Sequence, residues 1–494
     1  KQLYYYVIDL LFVFSNDLKG LMEHSNIPKI IDDEAVADYF INSELTSQYL
    51  TFFKNVRKLP SAHSLTVSIN EIKKKCYWRL EDAPKFNDEN IEIYAKKLRI
   101  LLEEAVHVRM RTIYPTTSHL SGGLDSSSIA VIAARKLRAK NERLTAFNWL
   151  HKPIKNSDTN HYEWSNSKTI SELENIDFNY ISLSSKEIYG YCINESIAYG
   201  NTAPFFFAEY PIREAAKNNG SRTIFSGWGG DELASQHANS YYADLFLQGK
   251  IKKLFKELKV LVNKRNNKIK GFLGTIYYQI LLPQIPKWLY CKMPRSKCFI
   301  PFFPFVKNDF LIKIKSIMKN FPIDERLAHK TLKEHSLLLW ADGYLQSRIE
   351  SWSVAGTANR IEYVYPLLDK RIVEFILGVP TECFVDSGMK RYLFRSAVKD
   401  LLPKKILLES TKDEINRVEH LYLLLFDASK MFLGNDKIIN NKSKYINNEK
   451  LKNTLSSMQK LSVKDDVLDE IMVSFQILVM LKELENECQS QEIQ

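Results

Sequence analysis

Residues Thr116–Ala130 read TTSHLSGGLDSSSIA. A β-prone run ends at Leu120, a serine and two glycines follow, an acid comes two positions later, and a small-residue helix begins at once. The order is strand, tight turn, helix N-terminus. Gly122 and Gly123 open backbone conformations that are closed to larger residues, so several N–H groups can converge on one concavity at the positive end of the helix. Such a concavity holds phosphate. Asp125 adds a condition, because a bare carboxylate beside phosphate repels it unless a cation lies between them. Mg2+ held by one or two carboxylates together with phosphate oxygens is the ordinary arrangement. The run G-x-x-x-x-G-K-[ST] is absent, and with it the lysine that serves the terminal phosphates of many kinases and ATPases. Taken alone, the stretch fits a plain Gly-Gly turn before a serine-rich helix equally well.

Working outward, apolar residues recur at helical spacing from Ile91 to Arg111 and lead into this turn. Beyond it the pattern predicts a helix over Ser126–Leu137, a strand over Leu144–Leu150, a helix over Glu163–Leu173 and a strand over Phe178–Leu183. Strand and helix alternate as in an open parallel sheet, where ligands bind beyond the carboxyl ends of the strands. The next strand, Arg222–Phe225, runs into Ser226, Gly227, Trp228, Gly229, Gly230, Asp231 and Glu232. As a bland turn, this segment needs Asp231 only as a helix cap. Two glycine-rich, acid-bearing turns at strand ends in one α/β unit are much less expected by chance than one. Together they can set Asp125 and Asp231 on opposite sides of one metal–phosphate group.

The 494 residues suffice for about three domains of ordinary size. A hydrophobic content of 45% and a charged content of 26% are ordinary for a globular protein. The net charge of +11 points weakly to an anionic partner such as nucleotide, nucleic acid or a membrane surface, and outside local clusters a lysine-rich solvated surface is the plainer reading; the partner expected is nucleotide, with no nucleic acid. The six cysteines lack both C-x-x-C spacing and disulfide-scaffold density, which fits a reduced, cytoplasmic protein. No run reaches the roughly 18 apolar residues of a membrane span, so no transmembrane segment is expected. Ile471–Leu481 is the longest such run, and a buried helix explains it better. The first residue is Lys1, so the chain can begin inside a longer protein.

Leu3–Ile8 and Leu11–Phe14 read as paired strands, Ser15 and Asp17 as caps of a helix through Leu21, Val36–Phe40 as helix and Leu65–Ser68 as strand. A linker rich in Glu, Asp, Pro and Asn at Asp82–Asp88 closes this region, which with so few strands looks like half of a domain. Gly249–Lys270 is thick with lysine and leucine, and a proline and aromatic segment follows from Leu282 to Phe305. A basic amphipathic helix suits a membrane surface, an acidic partner or simply a solvated face. We expect an insertion here that serves a peptide substrate. Beyond Leu402 the chain reads as mostly helical, with Asn435–Lys450 a polar, asparagine-rich loop.

Several of these runs carry a family resemblance. SGGLDSS at Ser121–Ser127 resembles the pyrophosphatase-type loop of the asparagine synthetase superfamily, and FSGWGGDEL at Phe225–Leu233 is similar to that family's SGEGADE signature. Arg348–Phe375, ending in YPLLDKRIVEF, resembles the family segment in which P-x-L-D precedes a helix. Ser387–Arg395 and Leu402–Ile406 match the GxxKxxLR and LLPxxI patterns that follow it. Residues 1–85, with VFSNDLKGLMEH, resemble the end of the family's N-terminal glutaminase-type domain. That domain requires an N-terminal cysteine nucleophile; its front half is absent, so glutamine hydrolysis by that route is not expected of this chain.

The resemblance implies an α/β fold: an open parallel sheet with flanking helices, adenine nucleotide alpha-hydrolase-like, preceded by a partial glutaminase-type (Ntn-like) α+β domain. It implies a division into residues 1–85, 86–415 with a basic and aromatic insertion at about 246–310, and a helical extension at 416–494. It also implies ATP-dependent amide formation through an acyl-adenylate, with a carboxylate substrate, an amine, ATP and Mg2+. Carried over residue by residue, Ser121, Gly122, Gly123, Asp125 and Ser126 hold pyrophosphate, Asp125 and Asp231 hold Mg2+, and Leu120, Ser226 and Gly227 line the AMP site. The strand contact to adenine falls near Asn148. Two departures stand out. Trp228 replaces the glutamate of asparagine-forming members, and the family lysine falls on Arg391, with Lys390 beside it. An aromatic residue at position 228 occurs in ring-closing relatives, the β-lactam synthetases and lasso-peptide cyclases, where Glu350 would be an acid/base partner; a salt-bridge carboxylate is its bland alternative. The expectation is a lasso-cyclase-like ligase, with a precursor peptide and a processing protease as partners. Asparagine synthase is the alternative, and a catalytically idle ATP-binding relative a third.

Overall fold

The computed structural model describes residues 2–9, 11–87, 90–148, 162–195, 197–200, 206–263, 268–286, 289, 303–318, 330–408, 414–458 and 465–491. At the front, strands β1 (Tyr4–Ile8), β2 (Leu11–Ser15) and β3 (Val56–Lys58) form an antiparallel sheet in the order β2-β1-β3. A separate hairpin joins β4 (His63–Val67) to β5 (Ile72–Cys76). The lysine-rich β5 was not expected from sequence: its pattern is exposed along nearly its whole length, so it lacks the alternation that marks a half-buried strand.

Among the described residues the central sheet has five strands, all parallel: β6 (Thr116–His119), β7 (Thr145–Asn148), β8 (Asp177–Tyr180), β9 (Thr223–Phe225) and β10 (Glu362–Val364). Their order is β10-β9-β6-β7-β8. The chain winds outward from β6 in one direction through β7 and β8, then returns to place β9 and β10 on the other side of β6. The switch point thus lies between β6 and β9, paired Thr116↔Thr223 to Ser118↔Phe225. This is where an open α/β sheet leaves a crevice at its carboxyl edge, and both glycine turns leave the sheet there.

Helix Ile91–Arg109 is capped by Asn90 and packs, with helix Leu124–Arg138, into the core beneath the sheet. Helix Leu124–Arg138 begins two residues earlier than its polarity suggests, because Gly123 serves as its N-cap. A different core joins the N-terminal strands to the far end of the chain. Tyr4, Tyr39 and Phe53 share one apolar cluster with Ile188, Phe310, Phe432 and the helix Asp465–Gln491. The run Ile471–Leu481 lies in that helix as a buried segment. The three expected segments therefore do not each carry a core of their own. Asn435–Lys450 is not simply a polar loop. It holds the helix Asp436–Ile439 and buries Tyr445 and Ile446, while Asn447 caps the helix Asn448–Ser457. Asparagine serves here as a cap and turn former, which composition alone does not distinguish from loop. In the basic insertion, helix Ile251–Asn263 is moored to the turn after Val385: Lys253 pairs with Asp386 at 2.9 Å, and Glu257 accepts from the Ser387 and Gly388 amides at 3.1 and 2.8 Å. Most of the aromatic stretch after Pro286 lies outside the described residues.

Candidate active site

The two turns dock on each other through glycine. A Cβ at Gly227 would lie 2.4 Å from the Ser126 amide nitrogen, and one at Gly230 would lie 2.4 Å from Asp125 Cγ. Gly122 adopts φ +76°, and its Cβ would meet the Glu163 carbonyl at 2.3 Å. The close approach that glycine permits is thus used three times to press a phosphate-type turn, a carboxylate turn and the helix Tyr162–Glu174 together. Within the first turn, Ser126 Oγ accepts from the Ser121 amide at 3.1 Å and lies 2.7 Å from Ser121 Oγ, which in turn accepts from the Gly123 amide at 3.3 Å. In the second, Glu232 accepts from the Gly229 amide at 3.0 Å and shapes the bend; burial pushes its carboxyl above the usual range.

Asp125 and Asp231 converge on one cationic group, the guanidinium of Arg391. Its Nη2 donates to Asp125 Oδ2 at 2.5 Å and also to Asp231 Oδ1, while Nε donates to the Ser235 carbonyl at 2.7 Å. Ser235 Oγ donates to Asp125 Oδ1 at 2.5 Å, and His237 Nε2 lies 3.2 Å from Asp231 Oδ1. Burial opposes the Arg391 charge, but Asp125 and Asp231 more than offset it and hold the guanidinium above its ordinary range. Lys390, by contrast, is exposed on the neighbouring two-residue strand. No cluster of three or more His, Cys, Asp or Glu residues suited to a metal occurs among the described residues. The two carboxylates meet at the Arg391 guanidinium, and a divalent cation held by them would have to take most of its ligands from phosphate and water.

A cavity of about 320 Å³ opens beside this cluster. It is lined by Ser121, Gly123, Asp125, Ser126, Asn148, Ser226, Gly227 and Asp231 and by aromatic groups that include Phe147, Phe207, Trp228 and Trp352. Leu120 and Gly122 are not among the lining residues. The Leu120 side chain belongs to the core, and its carbonyl accepts from Asn148 Nδ2 at 2.9 Å and Ser167 Oγ at 3.1 Å. Glu350 also lies elsewhere. It is buried against the N-terminal strands, accepting from Tyr4 Oη at 2.5 Å and Lys58 Nζ at 2.8 Å. Asp369, the acid of the P-x-L-D run, caps the helix Lys370–Gly378 and binds Arg109 and Arg371. Burial opposes its charge, yet those hydrogen bonds hold its carboxyl down at about 2.

Sequence reasoning passed over His119 and Glu209, which also line the cavity. His119 Nε2 lies 3.1 Å from Glu209 Oε2, which accepts from Tyr363 Oη at 2.9 Å. Burial would raise the Glu209 carboxyl, but His119, Tyr363 and the nearby Arg213 together hold it below its usual range. A signal for His119 was present: it is the last residue of the strand that enters SGGLDSS. Glu209 begins a helix remote in sequence, and nothing local marks it.

A switch-point crevice with paired glycine turns defines an α/β protein built to hold a ligand at the carboxyl edge of its sheet. The chain belongs to the asparagine synthase family, which it matches over residues 97–476, and residues 1–78 match a glutamine amidotransferase domain. It is 37% identical over 134 residues to the putative asparagine synthetase (glutamine-hydrolyzing) 2 of Methanocaldococcus jannaschii, covering 26% of this chain and 25% of that protein. It is 30% identical over 150 residues to asparagine synthetase (glutamine-hydrolyzing) 2 of Bacillus subtilis, covering 28% and 20%. A third similarity, 30% over 141 residues covering 28% and 20%, is to amidase chyE of Penicillium rubens. The matched stretches thus span a quarter or less of these relatives' lengths.

Proposed function

We propose that this protein is an ATP-dependent carbon–nitrogen ligase. A substrate carboxylate attacks the α-phosphate of ATP, pyrophosphate leaves, and an amine then displaces AMP from the acyl-adenylate. The observation that carries this reading is the convergence of Asp125 and Asp231 on Arg391 beside a cavity lined by both glycine turns. In this reading Ser121, Gly122, Gly123, Asp125 and Ser126 hold the pyrophosphate, and the Leu120 backbone, Asn148, Ser226 and Gly227 bound the AMP portion. Arg391 places positive charge where phosphate charge develops. Asp125 and Asp231 would hold Mg2+, which supplies charge neutralisation for the departing pyrophosphate.

For the acyl acceptor we propose a peptide's own amine, so that the product is a ring, as in a lasso cyclase. Trp228, packed 5.8 Å from Tyr365, with Phe147, Phe207 and Trp352 gives the cavity an apolar wall that suits a peptide side chain better than free aspartate. A precursor peptide and a processing protease are the partners this requires. Asparagine formation from aspartate is the second reading, and the names of the relatives favour it.

The test is Mg2+-dependent ATP–pyrophosphate exchange, run with aspartate and with peptides bearing Asp or Glu side chains. Exchange is expected with peptide, and Asp125→Asn or Asp231→Asn should lower it at least about a hundredfold, as removal of a transition-state electrostatic partner does. Exchange with aspartate alone would select asparagine formation. Binding of ATP without exchange on any carboxylate would leave an idle relative in place of an enzyme.

A further inference from the structure

The cavity wall holds a histidine that the ATP chemistry above does not use. His119 closes β6, one residue before the first turn, and faces the same cavity as Ser121, Asp125 and Ser226. Its Nε2 is committed to Glu209 at 3.1 Å. Glu209 is buried, accepts a second hydrogen bond from Tyr363 Oη at 2.9 Å and is kept ionised by its neighbours. An ionised carboxylate can only accept, so His119 Nε2 carries the proton and donates it. Nδ1 makes no hydrogen bond among the described residues. Trp352 and Tyr363 pack their rings against the imidazole at 5.9 and 6.1 Å between centroids and fix its plane. The arrangement is that of a general base whose tautomer is set by a buried carboxylate, the logic of a His–Asp pair in acyl transfer.

We infer that His119 is a catalytic base for the second half-reaction, taking a proton from the attacking amine through Nδ1. This rests on the ligase reading above. The amine nitrogen forms a bond to the acyl carbon, the bond from that carbon to the AMP oxygen breaks, and AMP leaves with the electron pair. The amine proton passes to His119 Nδ1, while Glu209 stays anionic and holds the imidazolium. Glu209 and Tyr363 are positioning residues, since they act through the ring.

The experiment separates the half-reactions. Whichever carboxylate supports pyrophosphate exchange in the wild type is used as the probe, and amide formation is followed with ammonia and with hydroxylamine, a nucleophile already neutral at pH 7. His119→Gln and His119→Ala are expected to keep exchange within about threefold, lose about 10² to 10⁴-fold in amide formation with ammonia, and retain most of the rate with hydroxylamine. Added imidazole should restore part of the ammonia rate in His119→Ala. Glu209→Gln should lower the ammonia rate in the same sense and leave hydroxylamine less affected. Unchanged amide formation in both His119 variants overturns this assignment while the ligase reading stands. Equal loss of exchange and amide formation shows a merely structural histidine and overturns it too. No exchange in the wild type with any carboxylate overturns both.

Discussion

Arg391 sits at φ +62°, in the left-handed region, immediately before the helix Tyr392–Ala397. That conformation costs an L-residue roughly 1–2 kcal/mol, and it is sustained because the bend returns the guanidinium to Ser235, Asp125 and Asp231. The charge of Arg391 therefore stands where a divalent cation would otherwise be needed to keep the two carboxylates together. Removing it takes away the guanidinium that both carboxylates share, and breaking one side of a buried ionic cluster costs about 3–5 kcal/mol. Arg391→Ala should accordingly lower the thermal midpoint in EDTA. Mg2+ should raise that midpoint more in the variant than in the wild type. Equal midpoints with equal Mg2+ responses would mean that the carboxylates do not compete for the two cations. Sequence placed a basic residue at 390 or 391 without choosing between them, since the choice depends on one positive φ.

At the level of elements, the site is made by two turns that interlock. The segment Gly230–Ala234 forms a π-type turn, with Ser235 N donating to the Gly230 carbonyl at 2.8 Å. Such a turn admits an extra residue per cycle, and it brings both Asp231 and Ser235 to Arg391. Gly230 must lack a side chain because Asp125 occupies the space a Cβ would need. Gly230→Ala should therefore lower pyrophosphate exchange at least tenfold with a modest loss of thermal stability. Gly220→Ala offers the control: its φ is +78° but nothing lies within 4 Å of the added carbon. It should cost stability of about 1–2 kcal/mol from backbone strain and leave exchange intact. Parity of the two variants in exchange would show that the docking of the turns is not required. Existence of the helices and strands here was legible from periodicity, whereas the interlock was not, because a Cβ at Gly227 or Gly230 would meet a residue about one hundred positions away.

Across the whole molecule, the N-terminal strands are bound to the family domain by more than apolar contact. Lys58 on β3 and Glu350 on helix Tyr344–Ala358 form a 2.8 Å ion pair, each side chain about 4% exposed. Nearby, Glu44 accepts from Ser347 at 3.1 Å and Arg348 at 3.2 Å, and Gln48 donates to the Trp340 carbonyl at 3.1 Å. Lys58→Met should destabilise the protein by about 3–5 kcal/mol, because it strands the Glu350 charge, and adding Glu350→Leu should recover much of this. Thermal unfolding of the two variants measures it. Pyrophosphate exchange in the double variant, where folded, should persist, since Glu350 lies outside the cavity lining. Abolished exchange in a stable double variant would place Glu350 in the chemistry.

Local sequence determined the alternating parallel α/β unit, both glycine turns, the two aspartates and the buried C-terminal helix. Each of these is written in spacing and backbone freedom within about fifteen residues, the range over which periodicity and turn chemistry act. The tertiary structure decided what meets what. It put Arg391 between the aspartates, set Glu350 against Tyr4 and Lys58 and Asp369 against Arg109 and Arg371, and joined His119 to Glu209 across ninety residues. Those partnerships come from strand order and from which side chains the core leaves no room for, and neither quantity is carried by any single stretch of the chain.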